Sequence, residues 1–568
     1  MKMKKYVGLI ALIAIAAFFR LAFIDTTPPG LYPDEAMNGN NALESIETGE
    51  YKIFYPENNG REGFFINIQA FFLKFFLSFA ENPEPWMLRV PSALFGILTV
   101  LGLYFLAREL FEKNKSFGIA LFSSFFIATS FWHINFSRIG FRAIMAPCFL
   151  IWGIYFLLLT LRKSKEKESV LEKNPKHKIL NPKQHQNSNV QNSKLFRSFR
   201  FRIWNLFRLW DLEFGISALA FFAGAIYGLG MHSYIAYRAT PAIILSIFVL
   251  AGIRKGWKKT ITIGMLFCVG AVAISLPLLV YFAENPSDFL GRTSQVSVFS
   301  GSSPALEILS NSAKTIGMLF YGGDGNWRHN YPEHGQLFWP VAICFVIGIA
   351  LGIKKIFNSQ SSNSNQTSDS DVQNSRSFRS FGFKILDLLR ISDFGFGILI
   401  LFVWIAVAML PVVISNEGIP HALRSILMIP PIFIFAGLGA SSIWGFLKRR
   451  MHTSIQNSIL IVFAGCIAIY AFCSYFFLWG KDMNTAGAFT EKYVTMGYMI
   501  RNLPADLPKY IIVRAGGTDV RGIPMPAQTT MFITDAFTPE KQKEKNIFFI
   551  LPEDKDSIPH GSFVTTLE

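Results

Sequence analysis

The chain has 568 residues, of which 51% are hydrophobic and only 16% are charged. Soluble proteins are about one quarter charged, so this composition excludes an ordinary soluble protein and predicts one that crosses a membrane many times. The formal net charge of +16 would suggest a nucleic-acid partner in a soluble protein. In a membrane protein the position of the charges reports orientation instead, and we expect no nucleic-acid partner.

The N-terminus begins with the basic sequence MKMKK and continues into an apolar run that ends at Ile24. A secretory signal peptide would close with small residues at a cleavage site, and the sequence after Arg20 offers none. We therefore predict an uncleaved first span over residues 6–24, with its basic end in the cytoplasm.

The first outer loop, residues 25–62, carries eight acidic and two basic residues. It contains TTPPGLYPDEA, in which Asp34 and Glu35 follow a stiff Pro-Gly turn. An Asp-Glu pair of this kind often only caps a helix and stabilises its positive end, and that interpretation stays open. A carboxylate pair on a rigid turn at a membrane surface is also well placed to meet a lipid-borne substrate.

Residues 63–80 form an apolar segment that is long enough to span. Asn67, Lys74 and Ser78 fall on one face of a helix, which favours either a buried helix or a helix on the outer membrane surface. If the segment crossed, the thirteen Lys and Arg residues of 162–213 would face outward, against the positive-inside rule. We therefore predict an interfacial helix on the outer surface.

Ten further spans bring the predicted total to about eleven, and an odd number places the C-terminus outside. These spans are approximately Leu88–Leu106, Phe117–Asn135, Ala143–Leu161, Phe214–Ser233, Tyr237–Ile253, Ile261–Phe282, Leu337–Ile353, Phe394–Ile414, Ser425–Phe446 and Ile459–Trp479.

The connections between the spans differ in charge. With this topology the polar inserts 162–213 and 354–394 lie in the cytoplasm and hold much of the basic charge, while 284–336 is an outer loop. The inserts contain a repeat, since residues 190–216 and 372–398 agree at 16 of 27 positions. We interpret the repeat either as a basic helix on lipid headgroups or as a neutral duplication.

The C-terminal residues 480–568 alternate helix-like and strand-like stretches. Residues 491–503 have the apolar spacing of a helix, and 510–513 and 547–551 read as short strands. The predicted fold class is therefore an all-α polytopic membrane domain, residues 1–479, followed by a small extracytoplasmic α/β domain.

Four separate outer loops each supply arginine, and three of them also supply histidine. A single arginine at the end of a span usually extends toward lipid headgroups. Four such loops instead predict a cationic basin suited to a phosphate or pyrophosphate. The predicted binding residues of this basin are Arg138, Arg142, His232, Tyr234, Arg238, Arg328, His329, His421 and Arg424.

An acidic loop that faces a cationic basin favours group transfer from a lipid phosphate. One carboxylate takes the proton of an acceptor hydroxyl, while Arg and His stabilise the charge on the departing phosphate. A transporter or flippase for a lipid-linked or anionic solute is the alternative. Such a protein would be expected to carry paired charges near mid-membrane and repeated spans, and the predicted spans show neither.

The sequence resembles the GT-C membrane glycosyltransferases in Arg20, PPGLYPDEA, GREGFFINIQAFFLKFF and RVPSALFGILTVLGLYFLARELF. The nearest groups are the dolichyl-phosphate-mannose protein mannosyltransferases and the lipid A aminoarabinose transferases. The resemblance is strong over residues 6–161, weaker through the later spans and absent from the two cytoplasmic inserts.

This resemblance implies an inverting hexosyl- or pentosyltransferase of the plasma membrane. Its donor would be a polyprenyl-phosphate sugar and its acceptor a hydroxyl of a protein, lipid or glycan on the outer face. By the resemblance Asp34 is the catalytic base, and we include Glu35, its neighbour in the Asp-Glu motif, with it as a catalytic residue. Arg61 and Glu62 lie where the family begins its interfacial helix, and we include both among the substrate-binding residues.

One departure from the family concerns metal. Many relatives carry a second acidic residue in a Thr-Asp-Ala-Pro-like stretch after the third span, whereas this chain has FRAIMAP with Arg142. We expect that loop to contact phosphate rather than metal.

The five cysteines fall inside apolar runs and do not have zinc-binding spacing. The sequence therefore indicates no cofactor and leaves a divalent metal as an open possibility.

Overall fold

The computed structural model describes residues 2–57, 60–111, 113–172, 215–289, 298–300, 303–364, 393–416 and 418–568. Nine helices within these ranges are long and apolar enough to cross a membrane. They cover Pro85–Leu110, Arg142–Glu166, Gly215–His232, Ile235–Arg254, Trp257–Glu284, Trp339–Ile356, Phe394–Val413, Ile426–Arg450 and Thr453–Trp479. The chain is thus a polytopic membrane protein, as predicted. Most of the repeated sequence, which was predicted to be cytoplasmic, lies outside the described residues.

The main helices are α1 (Lys2–Leu21), α2 (Pro33–Thr48), α3 (Phe64–Phe76), α4 (Pro85–Leu110), α5 (Lys113–Ala128), α6 (Phe131–Phe136), α7 (Met145–Glu172), α8 (Gly215–His232), α9 (Pro241–Lys255), α10 (Trp257–Glu284), α11 (Pro304–Gly317), α12 (Trp339–Ser364), α13 (Asp393–Val413), α14 (Ile429–Arg450), α15 (Thr453–Phe472), α16 (Met483–Ala488), α17 (Glu491–Arg501), α18 (Ala527–Thr534) and α19 (Pro539–Lys545).

Two of the eleven predicted spans are shorter in the structure. The apolar part of α1 is Val7–Leu21 and that of α5 is Ser116–Ala128. The prediction of one helix to Asn135 was wrong, because α5 ends at Ala128 and α6 begins three residues later. The buried Arg20 guanidinium donates to the carbonyls of Ile127 (3.2 Å) and Ala128 (3.0 Å), which satisfies carbonyls at the end of α5.

Helix α3 corresponds to the predicted interfacial helix. Its 13 residues extend about 20 Å, which is less than the roughly 30 Å of a bilayer core. Phe71, Phe75 and Phe79 recur every four residues and are all exposed. A short helix with a row of exposed phenylalanines suits a position at the membrane surface, and that position stays a prediction.

The core of the membrane domain is built around α14. Every residue from Ile429 to Ala440 is buried there, and α14 packs against α5 and α12. Helices α10 and α15 lie at the periphery and expose rows of Ile, Val and Leu. Apolar side chains on the outside are expected where lipid, rather than water, surrounds the protein.

The last part of the chain forms a small α/β domain, as predicted. Its parallel sheet has the order β6-β3-β7 and is built from β3 (Lys509–Val513), β6 (Ile547–Ile550) and β7 (Phe563–Leu567). Shorter antiparallel pairs are β1 (Phe54–Tyr55) with β2 (Arg61–Glu62), and β4 (Asp519–Val520) with β5 (Ile523–Pro524).

This domain packs directly on α2, the helix of the first outer loop. Phe532 of α18 lies so close to Gly39 that a Cβ there would be 2.5 Å from its ring. The Asn40 side chain donates to both the backbone oxygen and the side-chain oxygen of Gln528, at 3.1 and 2.9 Å. The first outer loop and the C-terminal domain therefore form one packed unit.

Candidate active site

Loops that are distant in sequence form a large cleft, of about 710 Å³, among the described residues. A volume of this size suits a small-molecule or cofactor ligand. The cleft is lined by Tyr32, Asp34, Asn38, Arg61, Phe141, Arg142, Ala143, Tyr234, Asp324, Gly325, Asn326, Arg328, His329, Gly418, Ile419, Pro420, His421, Leu423 and Arg424. Eight of the predicted site residues therefore meet around it, among them Asp34 from α2.

The turn before Asp34 is held by a buried arginine of α4. Arg89 donates to the carbonyls of Pro28 and Gly30, each at 2.7 Å. Gly30 has a φ of +66°, which an L side chain rarely adopts, and a Cβ there would lie 2.4 Å from the Phe489 carbonyl oxygen. Pro33 then begins α2 with its ring at the first helical turn. These contacts fix the position of Asp34.

The residue Leu31, which precedes this helix, is held by the C-terminal domain. Its carbonyl oxygen accepts hydrogen bonds from the hydroxyls of Thr490 (2.8 Å) and Thr529 (3.0 Å). The loop that carries Asp34 is thus attached to the membrane domain on one side and to the C-terminal domain on the other.

Asp34 itself is an accessible carboxylate of the cleft, with 35% of its side chain exposed. Arg61 holds it through an ion pair of 2.9 Å between Nη2 and Oδ1 and a hydrogen bond of 3.0 Å to its backbone oxygen. Arg61 also donates to the Asn38 side-chain oxygen at 2.6 Å. The carboxylate is therefore oriented by a neighbour and still open to a ligand.

Glu62 and Arg142 form a second ion pair beside this one. The Arg142 Nε lies 2.7 Å from Glu62 Oε2, and Arg238 approaches the other carboxylate oxygen at 3.7 Å. Arg142 lines the cleft, whereas Glu62 is buried behind it and Arg238 is not part of the lining. Glu62 therefore orients Arg142 and does not itself line the cleft.

A second part of the wall comes from the loops before α12 and α14. Arg328 lies over the Tyr32 ring, 4.1 Å from its centre, and its Nε donates to the Asn326 side chain. Arg424 donates to the Ser415 hydroxyl. Two further cations thus line the cleft that holds Asp34 and Arg142.

A cluster of Asp324, His329 and His421 forms part of this wall. His329 Nδ1 is 3.0 Å and His421 Nδ1 is 3.9 Å from Asp324 Oδ2, and the two imidazole rings lie 4.7 Å apart. Burial, followed by the charges of His329 and Arg424, holds the pKa of His421 well below its usual range. Burial alone would raise the pKa of Asp324, but the hydrogen bond and charge of His329 outweigh it and lower that pKa.

Glu35 does not face the cleft, contrary to its predicted pairing with Asp34 in catalysis. It is fully buried, with Oε2 3.3 Å from Arg89 Nε and 2.6 Å from the Gly140 backbone nitrogen. Adjacent residues of a helix point about 100° apart, and here Asp34 points into the cleft while Glu35 points toward α4. Glu35 instead joins the first outer loop to α4 and to the loop before α7.

Two of the predicted phosphate ligands also lie away from the cleft. Arg138 is fully buried and donates to the carbonyls of Phe19 (3.1 Å) and Thr27 (2.7 and 3.2 Å), so it stabilises the end of α1. His232 is buried, with Nε2 3.0 Å from the Ile274 carbonyl oxygen. Arg138 and His232 were predicted to bind phosphate, but in the structure each of these side chains contacts backbone carbonyl oxygens.

Several cleft residues were missing from the prediction, namely Tyr32, Asn38, Asp324 and Asn326. Asp324 accepts from the backbone nitrogens of Asn326 (2.9 Å) and Ala422 (2.8 Å), so it connects the loops before α12 and α14. The signal in the sequence was the motif GGDGNWRHN, which holds Asp324, Arg328 and His329 together. This motif forms the cluster only together with His421, which lies in another loop. A local sequence pattern cannot show that the two loops meet.

The chain resembles known membrane glycosyltransferases in sequence and in structure. Residues 68–171 match the model of the dolichyl-phosphate-mannose-protein mannosyltransferase family. The crystal structure of ArnT from Cupriavidus metallidurans bound to undecaprenyl phosphate superposes with a TM-score of 0.51 and 12% identity, over 98% of this chain and 89% of that chain. No match was found among curated protein sequences.

A second structural match is the Archaeoglobus fulgidus oligosaccharyltransferase tethered with an acceptor peptide containing the NVT sequon. Its TM-score is 0.50 and its identity 15%, over 95% of this chain and 64% of that chain. The present chain thus spans less than two thirds of the oligosaccharyltransferase. Identities this low show the fold, and the predicted GT-C fold is confirmed.

Proposed function

We propose that this chain, which has the GT-C fold, is an inverting glycosyltransferase that moves a sugar from a polyprenyl phosphate to a hydroxyl acceptor. The observation that carries the proposal is the cleft itself, which brings the accessible carboxylate of Asp34 together with Arg142, Arg328 and Arg424. An accessible carboxylate that shares a cleft with these cations matches the charges that develop when a hydroxyl displaces a phosphate.

In this reaction Asp34 is the general base. Its carboxylate accepts the proton of the acceptor hydroxyl as the acceptor oxygen forms a bond to the anomeric carbon. The bond between that carbon and the phosphate oxygen breaks on the opposite face, and the phosphate leaves with the electron pair. Phosphate is a good leaving group without protonation, so one base suffices and the anomeric configuration inverts. Arg61 orients Asp34 for this transfer.

The cations of the cleft bind the donor phosphate. Arg142, oriented by Glu62, and Arg424, bound to Ser415, present guanidinium groups that suit phosphate oxygens. Arg328 is fixed against Tyr32 on the same wall. Their charges stabilise the phosphate more as its bond to the sugar breaks, which is the requirement for catalysis.

We expect Arg142→Ala and Arg424→Ala each to weaken the binding of undecaprenyl phosphate about 10-fold or more. A hydrogen bond to a charged group contributes roughly 1.5–3 kcal/mol, which corresponds to this change in affinity. Titration of the lipid into detergent-solubilised protein, followed by fluorescence or thermophoresis, measures the dissociation constant. Arg514→Ala, at a 56% exposed side chain of the C-terminal domain, is the matched control. Unchanged affinity in both cleft variants would contradict the phosphate site.

The cleft would face the extracytoplasmic side. This orientation follows from the basic charge of the inserts 162–213 and 354–394, which the positive-inside rule assigns to the cytoplasm. The N-terminus is then cytoplasmic, and the C-terminal domain extends outside the plasma membrane. The acceptor would reach the cleft as a hydroxyl of a protein, lipid or glycan, while the donor arrives from the surrounding membrane lipid.

Cysteine labelling tests this orientation. In a chain whose exposed cysteines Cys268, Cys466 and Cys473 are replaced by serine, we expect Thr518→Cys to react with a membrane-impermeant maleimide on intact cells. Lys165→Cys, at the end of α7, should react only after the membrane is opened, because it lies on the basic side. The opposite labelling pattern would overturn the proposed topology.

A further inference from the structure

Asp324, His329 and His421 place three metal-ligating groups in one corner of the cleft. Their candidate ligand atoms all lie within 4.8 Å of one another, and the carboxylate oxygen is 3.0 and 3.9 Å from the two imidazole nitrogens. Ligands of a tetrahedral ion with bonds of about 2.0 Å are separated by roughly 3.3 Å. The distance between Asp324 and His329 is close to this value, and the other separations are wider, up to 4.8 Å.

The cluster is held as a metal site requires. Asp324 Oδ1 accepts from the Asn326 backbone nitrogen at 2.9 Å, and Oδ2 accepts from that of Ala422 at 2.8 Å. These bonds orient the carboxylate and join the two loops that carry the histidines, as outer-shell partners do in metal proteins. The Phe136 ring also packs against the His329 ring, with the two ring centres 5.8 Å apart.

A simple hydrogen bond between Asp324 and His329 explains only part of this arrangement. It leaves unexplained why the ring of His421 stacks against that of His329 at 4.7 Å, with Nδ1 3.9 Å from the same carboxylate oxygen and 3.4 Å from the Arg424 backbone nitrogen, which donates to it. It also leaves unexplained why all three residues meet at the lining of the cleft. Two imidazoles and one carboxylate at a cleft wall form a donor set that suits zinc and related divalent ions.

We propose that Asp324, His329 and His421 bind a divalent transition-metal ion, with zinc the expected ion, and that its open coordination position takes an oxygen of the donor phosphate. This inference rests on the proposed function for the identity of the phosphate ligand, but not for metal binding itself. Arg328 and Arg424 line the same cleft, so an anionic phosphate would offset the repulsion between these cations and the ion.

Cobalt(II) titration tests the site directly. The purified full chain is stripped with a chelator, its cysteines are blocked with N-ethylmaleimide, and any histidine tag is removed. Cobalt should then produce visible d–d absorption at one equivalent, and zinc should displace it. His329→Ala and His421→Ala should each weaken cobalt binding by more than about 100-fold, beyond the 10–100-fold typical of losing an outer-shell partner.

His334→Ala is the matched control, because His334 lies in the same loop but stacks on Tyr331 outside the cluster. Control and wild-type protein should bind cobalt equally. Saturation of the wild-type chain should also raise its unfolding temperature, since the ion binds the folded state, and the cluster variants should lose this shift. No cobalt spectrum in the wild type, or equal spectra in all variants, would overturn the site.

The phosphate part of the proposal has its own measurement. Undecaprenyl phosphate should tighten zinc binding about 10-fold or more, and zinc should tighten lipid binding by the same factor, because linkage is reciprocal. Zinc affinity that is indifferent to the lipid would overturn the shared coordination. If the chain binds zinc but transfers no sugar, the proposed function fails while the metal site stands, so the two results are distinguishable.

Discussion

We expect replacement of Asp34 by asparagine to abolish sugar transfer while the protein remains folded and inserted. Asparagine keeps the size of the side chain and its place beside Arg61, but it cannot accept the proton of the acceptor hydroxyl. General base catalysis contributes about 10²–10⁴-fold to a rate, so we expect a loss of that order in Asp34→Asn. Asp34 is 35% exposed, which makes a large loss of stability unexpected.

Gene deletion followed by complementation measures this effect whichever sugar is transferred. Mass spectrometry first identifies which surface polymer, lipid or protein loses a sugar when the gene is deleted. The wild-type chain should restore that sugar, and Asp34→Asn should not. Glu50→Gln, at an exposed acid in the same outer loop, should restore it fully. Full restoration by Asp34→Asn would contradict the assignment of the base.

The second large effect is expected at Arg89, which is buried with Glu35 and holds the loop that carries Asp34. Arg89→Met leaves the Glu35 carboxylate without its ion-pair partner in a fully buried position. Removal of one member of a buried pair costs about 3–5 kcal/mol, because a charge without its counterion is left in a low-dielectric surrounding. The variant also loses both hydrogen bonds to the Pro28–Gly30 turn, so Asp34 should be displaced and transfer should fall.

Unfolding of the detergent-solubilised protein, by heat or denaturant, measures this loss of stability. The double variant Arg89→Met with Glu35→Gln should recover part of it, because the uncompensated charge is then gone. Arg514→Met, at a 56% exposed arginine, should stay within about 0.5 kcal/mol of the wild type. A single Arg89→Met variant as stable as the wild type would show that the ion pair does not support the loop.

Composition and hydropathy predicted the membrane architecture well, because a lipid solvent imposes long uncharged helices on any sequence. Nine of the eleven predicted spans are found as such among the described residues, and the break between Ala128 and Phe131 was the clearest error within the membrane domain. Arg20 donates to the carbonyls at that break through hydrogen bonds that are long-range in sequence. Hydropathy, which is a local average, cannot detect such a contact.

The site was predicted in part for a related reason. The Pro-Gly turn and acidic loop identified Asp34, since that signal lies within a few adjacent residues. Arg138 and Glu35 have the same composition signal as true cleft residues, but the structure turns them inward to carbonyls and to Arg89. Which way a polar side chain points depends on the packing of its helix. The grouping of Asp324 with His421 likewise depends on how two distant loops meet.

The two threonine hydroxyls on the Leu31 carbonyl have a consequence for biosynthesis. Leu31 lies near the start of the chain, whereas Thr490 and Thr529 belong to its C-terminal domain. A nascent chain that has already inserted every membrane helix still lacks both hydroxyls. The loop that carries Asp34 therefore gains these two hydrogen bonds only after the C-terminal domain has been translated and has packed against it, and a product terminated before Thr490 would lack both of them.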